Sequence, residues 1–204
     1  DERILVENTL AERITRPTPI MWSGDGEYLY YMNVIEGVEG FGGTDLYKVE
    51  IATGLSETIF EDGSCLCSTS VALDEAYAVR AMGSEPLTLV FKALDSGTER
   101  TVSLPSKYRQ AWEMVWAPDS SAVLVTIGLG NWEEDEYSVV SVDPETLDVT
   151  FLITDDDRRL RAVAWEAMET VWLNDAEGSL WRMAPDGTGL TLTESEARII
   201  PRSQ

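Results

Sequence analysis

Seven of the 15 Lys+Arg of this chain fall in a few short stretches. Arg16, then Lys107 and Arg109, then Arg158, Arg159 and Arg161, then Arg198 stand in short polar stretches between apolar segments. A guanidinium is a planar fork that grips a carboxylate through two parallel hydrogen bonds. Arg16, Arg109, Arg158, Arg161 and Arg198 are therefore candidates for recognising an anion. Phe41, in NVIEGVEGFGGT, and Trp132, in GLGNWEEDE, are candidate aromatic tips of loops beside them. The ligand this set would suit is a protein segment or a small carboxylate-bearing molecule. A second reading stays open, in which the arginines brace acidic loops as ion pairs, Arg158 with Asp155 to Asp157 for instance.

Other chemistries find less support. The chain has no histidine, which removes Ser-His-Asp and Cys-His nucleophile systems and the commonest zinc ligand. Cys65 and Cys67 are the only cysteines; a bridge across one intervening residue would be strained, and two sulfurs make a poor zinc site. They read as buried or half-buried thiols. The acidic runs Glu133 to Glu136 and Asp155 to Asp157 lack the spacing of a calcium loop, and read as solvated loops. Nothing in the spacing of the acids selects a glycosidase pair. No catalytic residue, metal site or cofactor is assigned.

The net charge is −22, from 15 Lys+Arg against 37 Asp+Glu. Such a surface repels nucleic acid and anionic lipid, both of which need clustered cations. No apolar run approaches the roughly 20 residues of a membrane span, so membrane insertion is not expected. The chain begins at Asp1 without a signal-like apolar stretch, and reads as a processed or excised form.

The elements that must hold these side chains repeat. Met114-Val-Trp-Ala-Pro-Asp-Ser-Ser-Ala-Val-Leu-Val125 is a strand, a tight turn and a second strand. Pro118 has a fixed φ suited to the turn, and Asp119 can bond the backbone two residues on. Similar stretches run from Ile20 to Tyr31, Val71 to Val79 and Val163 to Trp172. Aligned on Trp22, Leu73, Trp116 and Trp165, they recur at about 40–50 residues, the length of a propeller blade. Third strands follow at Asp45 to Glu50, Thr88 to Ala93, Tyr137 to Val142 and Ser179 to Ala184. Fourth strands follow at Ser56 to Phe60, Thr98 to Leu104, Asp148 to Ile153 and Leu190 to Thr193. The cations above then fall in the joints from a fourth strand to the next first strand; only the joint at Cys65 lacks one. The loops Asn33 to Thr44 and Gly128 to Glu136 fall at one repeat position, where insertions decorate a binding face.

The expectation is an all-β, single-domain propeller over 1–204, with repeats at 17–62, 63–105, 106–154 and 155–194 and partial units at 1–16 and 195–204. Arg3 to Val6 and Leu10 to Thr15 read as a third and a fourth strand, Ala197 to Pro201 as a first. Either the ends meet in a composite fifth blade, or the chain is part of a larger ring. Trp22, Trp116 and Trp165 read as core, and Asp25 and Asp119 as turn formers. Arg158 to Met168 is the one arguable helix, where a first strand is due.

The strand, the W-[ST]-P-D-G-like turn, the second strand, the Asp45-Leu-Tyr-Lys-Val-like strand and the Ala52-Thr-Gly54 turn together resemble the TolB-type, WD40-like β-propeller repeat. Trp22-Ser-Gly-Asp-Gly26 has Gly where the family has Pro, and Trp116-Ala-Pro-Asp-Ser120 has Ser for the final Gly. Families with this repeat include periplasmic protein-binding subunits, peptidase gating domains and polysaccharide lyases. The resemblance thus implies a non-catalytic binding module in the periplasm or outside the cell. Its alternatives are a carbohydrate-active lyase or hydrolase, and an accessory propeller of a larger enzyme such as a peptidase.

Overall fold

A computed structural model describes residues 4–6, 15–35, 43–61, 68–83, 85–130 and 136–194. Sixteen strands form four antiparallel sheets, each of four strands in sequence order, with no helix among the described residues. Blade 1 holds β1 (Thr15–Trp22), β2 (Tyr28–Ile35), β3 (Gly43–Glu50) and β4 (Ser56–Phe60). Blade 2 holds β5 (Thr69–Val71), β6 (Tyr77–Met82), β7 (Thr88–Ala93) and β8 (Glu99–Ser103). Blade 3 holds β9 (Gln110–Trp116), β10 (Val123–Gly128), β11 (Tyr137–Val142) and β12 (Val149–Asp156). Blade 4 holds β13 (Arg161–Glu166), β14 (Thr170–Asn174), β15 (Leu180–Met183) and β16 (Thr191–Glu194). The chain divides into two compact units, 1–105 with blades 1 and 2 and 106–204 with blades 3 and 4.

Within each sheet the sequence sorts strands by what covers them. β10 is buried at every residue, as its unbroken Val-Leu-Val-Thr-Ile-Gly run requires of a strand covered on both faces. β8, Glu-Arg-Thr-Val-Ser, is almost wholly exposed, and its charges discourage pairing at an open sheet edge. Pro17 and Pro19 sit in β1, an outside strand of its sheet, where a missing N–H is tolerated.

Each unit packs its two blades on a core of its own. In the first, Tyr30, Leu46, Ile59 and Phe60 of blade 1 meet Val71, Ala78 and Val90 of blade 2. In the second, Leu124, Val139 and Ile153 of blade 3 meet Leu160, Ala162, Val171, Leu173 and Met183. Each fully buried Leu or Val contributes roughly 1.5–3 kcal/mol relative to exposure.

The first hairpins show how the repeat works. Ser23 N–H donates to Tyr28 O, Ala72 N–H to Tyr77 O and Ala117 N–H to Ala122 O, so three blades share one loop. The last turn residue has positive φ in each: Gly26, Glu75 and Ser120. Asp25, Asp74 and Asp119 accept the amide two residues on, the turn-forming role expected of Asp25 and Asp119. The loop also corrects the alignment: the partner of Trp22 and Trp116 in blade 2 is Val71, not Leu73. Leu73 stands inside the turn and is exposed. Blade 2 has neither the Trp nor the Pro, so the pattern could slide by two residues and keep the same face inward.

Within the stretch Arg158 to Met168, Arg161–Glu166 forms β13, and none of it is helical. Trp116 is 6% exposed and Trp165 packs against the core of the second unit, but Trp22 is 57% exposed, against the expectation that all three are core. On blade 2, Val71 fills the corresponding place in the core of the first unit, a core that Trp22 does not join. Asn33, Val34, Ile35, Gly43 and Thr44 belong to strands, which shortens the first long loop. Leu5 and Val6 lie in a bend, and Thr15 opens β1. Cys65, Cys67, Ile14 and the segment Ala197 to Pro201 lie outside the described residues.

Candidate binding site

The joint between β12 and β13 carries Arg158, and β13 opens on Arg161; the chain there is built around acids. Asp155 and Arg159 both have positive φ, which turns successive side chains in different directions. The Asp155 to Asp157 run does not converge. Asp155 bonds Lys107 Nζ and accepts from Tyr108 Oη at 3.1 Å, while its own amide donates to Ser138 Oγ at 2.9 Å. Asp156 is bonded by Arg158, and Asp157 lines a cleft. The Lys107 hydrogen bond holds the Asp155 carboxyl below its ordinary range.

Arg158 donates through Nε to both oxygens of Asp156, at 2.9 and 3.1 Å, and through Nη2 to Oδ2. This is the bracing pair foreseen from the sequence. Burial pushes Asp156 up, but the Arg158 bonds outweigh it and the carboxyl ends below its usual value. The guanidinium carbon lies 4.6 Å from the centre of the Trp181 ring, a cation–π contact. The fork on Asp156 uses Nε and Nη2, so the Nη1 donors stand outside it.

Trp181 is held in turn from the β14–β15 hairpin. Its Nε1 donates to Asp175 Oδ2 at 2.9 Å, and Asp175 Oδ1 accepts the amides of Glu177 and Ser179. Burial raises the Asp175 carboxyl, but these bonds, Trp181's first, bring it below its ordinary range. The Ala176 amide donates to Arg158 O and ties the hairpin to the joint. Between them opens a cleft of about 400 Å³ lined by Asp157, Arg158, Asp175, Glu177, Trp181 and Leu192, among others.

Arg161 serves a different cluster. Its Nη1 lies 3.3 Å from Glu113 Oε1 and its Nη2 donates to Tyr137 Oη at 3.1 Å. Tyr137 stacks on Trp112 with centroids 4.4 Å apart. Burial raises Glu113 above its usual value, and Arg161 offsets this only in part. Arg109 is exposed, one residue before β9, its amide donating to Gly128 O. Arg16 is exposed in β1, in the first unit. The structure thus places Arg158 and Arg161 at one joint with separate partners, and Arg109 at another. Arg198, Phe41 and Trp132 lie outside the described residues.

Sequence reasoning missed Trp181 and Asp175 as partners of the joint, and it missed Arg80. The joint at Cys65 has no cation of its own, but Arg80 in β6 pairs across the ladder with Thr69, the first residue of β5. The available signal was one Arg in the apolar run Tyr77-Ala-Val-Arg-Ala-Met82.

No family model matches the chain, and no curated protein does. Solved structures do. TolB from Acinetobacter baumannii superposes with a TM-score of 0.61 over 89% of this chain and 44% of that one, at 16% identity. The chain has the TolB-type β-propeller fold. A protein assigned as TolB from Agrobacterium tumefaciens gives 0.62 over 95% of this propeller chain and 65% of its own, at 19% identity. Dipeptidyl peptidase 4 from Porphyromonas gingivalis gives 0.60 over 94% and 33%, at 12% identity. This propeller chain therefore spans less than two thirds of either TolB structure.

Proposed function

We propose that the chain is a non-catalytic binding module of the periplasm or cell exterior, taking a protein segment or a carboxylate-bearing molecule at its arginine-bearing joints. The observation that carries this is Arg158 lying on Trp181 at the β12–β13 cleft, with Nη1 outside the Asp156 fork. A preformed guanidinium on an aromatic face, next to the exposed Leu192, offers charge, stacking and apolar contact together. The TolB-like fold supports a protein partner and a location outside the cytoplasm. The −22 charge argues against nucleic acid.

The test is calorimetric titration with carboxylate-ended peptides and with glucuronate, on wild type, Arg158→Met and Trp181→Leu. Wild type binds, more weakly as salt rises, and each variant loses at least tenfold. Equal heats in all three proteins would sink the reading. A second reading, an accessory propeller of a larger enzyme such as a peptidase, is favoured by the match to one third of the P. gingivalis peptidase. The full reading frame decides it: a hydrolase domain beside this segment would support it, and its absence would remove it.

A further inference from the structure

Among the described residues of the first unit, the most deeply placed cation has no acid as a partner. Arg80 is 7% exposed, and its Nε and Nη1 are buried without a hydrogen-bond partner. Its one described contact for the charge is the Phe60 ring, 4.8 Å from Cζ. A guanidinium stays protonated at any accessible pH, and a cation–π contact returns little against the cost of desolvating a charge. Other described cations of the chain are treated differently. Lys48 meets Glu57, Lys92 meets Glu99, Lys107 meets Asp155, Arg158 meets Asp156 and Arg161 meets Glu113. In a chain with 37 acids, compensation was available and was not used at Arg80.

We propose that Arg80 is the anchor of an oxyanion site in the first unit, occupied by a carboxylate or phosphate from outside the chain. The inference stands apart from the blade 4 cleft, which shares no residue with it. The site belongs to the blade 1–blade 2 core face: Phe60 below the guanidinium, and Thr69 opposite on the ladder. Lys92 Nζ, 5.8 Å from the same ring, is already taken by Glu99 and by the Ile59 carbonyl at 2.7 Å, which leaves Arg80 as the cation an external anion would meet. Nε and Nη1 lie on different edges of the fork, so one planar anion cannot take both. Full satisfaction needs an anion on one edge and a further acceptor on the other, which favours a ligand with two acceptor groups over a simple halide.

The test titrates sodium acetate, sodium malonate and sodium phosphate at constant ionic strength into wild type, Arg80→Lys, Arg80→Met and Glu61→Gln, Glu61 being the exposed acid that follows Phe60 in the chain. The readouts are thermal denaturation and the ¹H–¹⁵N resonance of the Arg80 Nε–H. The expected result is a saturable shift of that resonance with malonate or phosphate, and a Tm rise of several degrees. The Tm rise should be reduced in Arg80→Lys and lost in Arg80→Met. Malonate alone shifting the resonance assigns a carboxylate ligand, and phosphate alone assigns a phosphate. No resonance shift, or equal Tm responses in wild type and Arg80→Met, overturns the site. A resonance that moves in Glu61→Gln without added anion also overturns it, because the partner would then be the chain's own carboxylate. The resonance is read in wild type, so a failure of Arg80→Met to fold leaves the decision intact.

Discussion

The phenol oxygen of Tyr30 lies 2.6 Å from Oε2 of Glu75, joining the second strand of blade 1 to the first hairpin turn of blade 2. Oε1 of the same carboxylate accepts the amide of Gly24, in the blade 1 turn, at 2.9 Å. One acid at a positive-φ turn position thus holds both a buried phenol and a neighbouring turn.

Tyr30→Phe should cost about 1.5–3 kcal/mol, the range for a hydrogen bond to a charged group. In a double-mutant cycle with Glu75→Gln, urea unfolding should show non-additive losses. Burial, with Glu75 adding to it, raises the Tyr30 hydroxyl well above its ordinary value. A raised folded-state pKa means the folded protein holds the proton longer, so the contribution is complete below about pH 10. It is lost as pH rises further. Tyr30→Phe should flatten that alkaline decline, and an unchanged decline would refute the assignment.

Two acids in the second unit should act on stability with opposite signs. Asp155, depressed chiefly by Lys107, stabilises above the ordinary carboxylate range and loses that contribution as pH falls. Glu113, raised by burial, favours the folded state while protonated and loses that contribution as pH rises through its folded value. Melting curves across the acid range should show Asp155→Asn with a shallower acid decline than wild type. Glu113→Gln should gain on wild type as pH rises. Parallel curves for all three proteins would defeat both assignments.

The β-hairpin turns between third and fourth strands offer a steric comparison. Gly97 and Leu147 occupy matching positions, each amide donating to the carbonyl four residues back, with φ of 69° and 64°. Gly97→Ala, with open space around it, should cost about 1–2 kcal/mol for left-handed backbone alone. Leu147→Gly should recover up to about 1 kcal/mol of the same strain. Gly187 also has positive φ, and a Cβ there would sit 2.9 Å from Leu152 O, so Gly187→Ala should cost about 2–4 kcal/mol. Urea midpoints for the three variants give the order directly; a Gly187→Ala no worse than Gly97→Ala would break the argument.

Strand identity was legible wherever apolar runs met strong turn residues. Ser56 to Phe60, Thr88 to Ala93 and Tyr137 to Val142 are strands with the bounds read from sequence, because Gly54, Gly97 or a Pro-containing turn pins one end. The blade 2 hairpin was legible in type but not in register, since Ala72-Leu-Asp-Glu75 carries its turn geometry on residues that do not announce it. The exposure of Trp22 could not be read at all: a strand position fixes which way a side chain points, not what stands opposite. At the joints, sequence found Arg158 and its acid because they are neighbours in the chain. Trp181 was missed because its partner Asp175 is reached across a hairpin, and Arg80 because the Phe60 ring and Thr69 reach it from another blade and across a ladder.

The Glu75 clasp also sets an order of assembly on a chain made from its N-terminus. When the first hairpin of blade 1 has been synthesised, its Gly24 amide and Tyr30 hydroxyl still lack the acceptor they use in the finished protein. They gain it only when the turn of blade 2 has emerged and docked. Blade 1 is therefore not a self-sufficient nascent fragment: these two hydrogen bonds, and that from Lys92 Nζ to Ile59 O, arrive with the next blade, so the first unit closes as a pair.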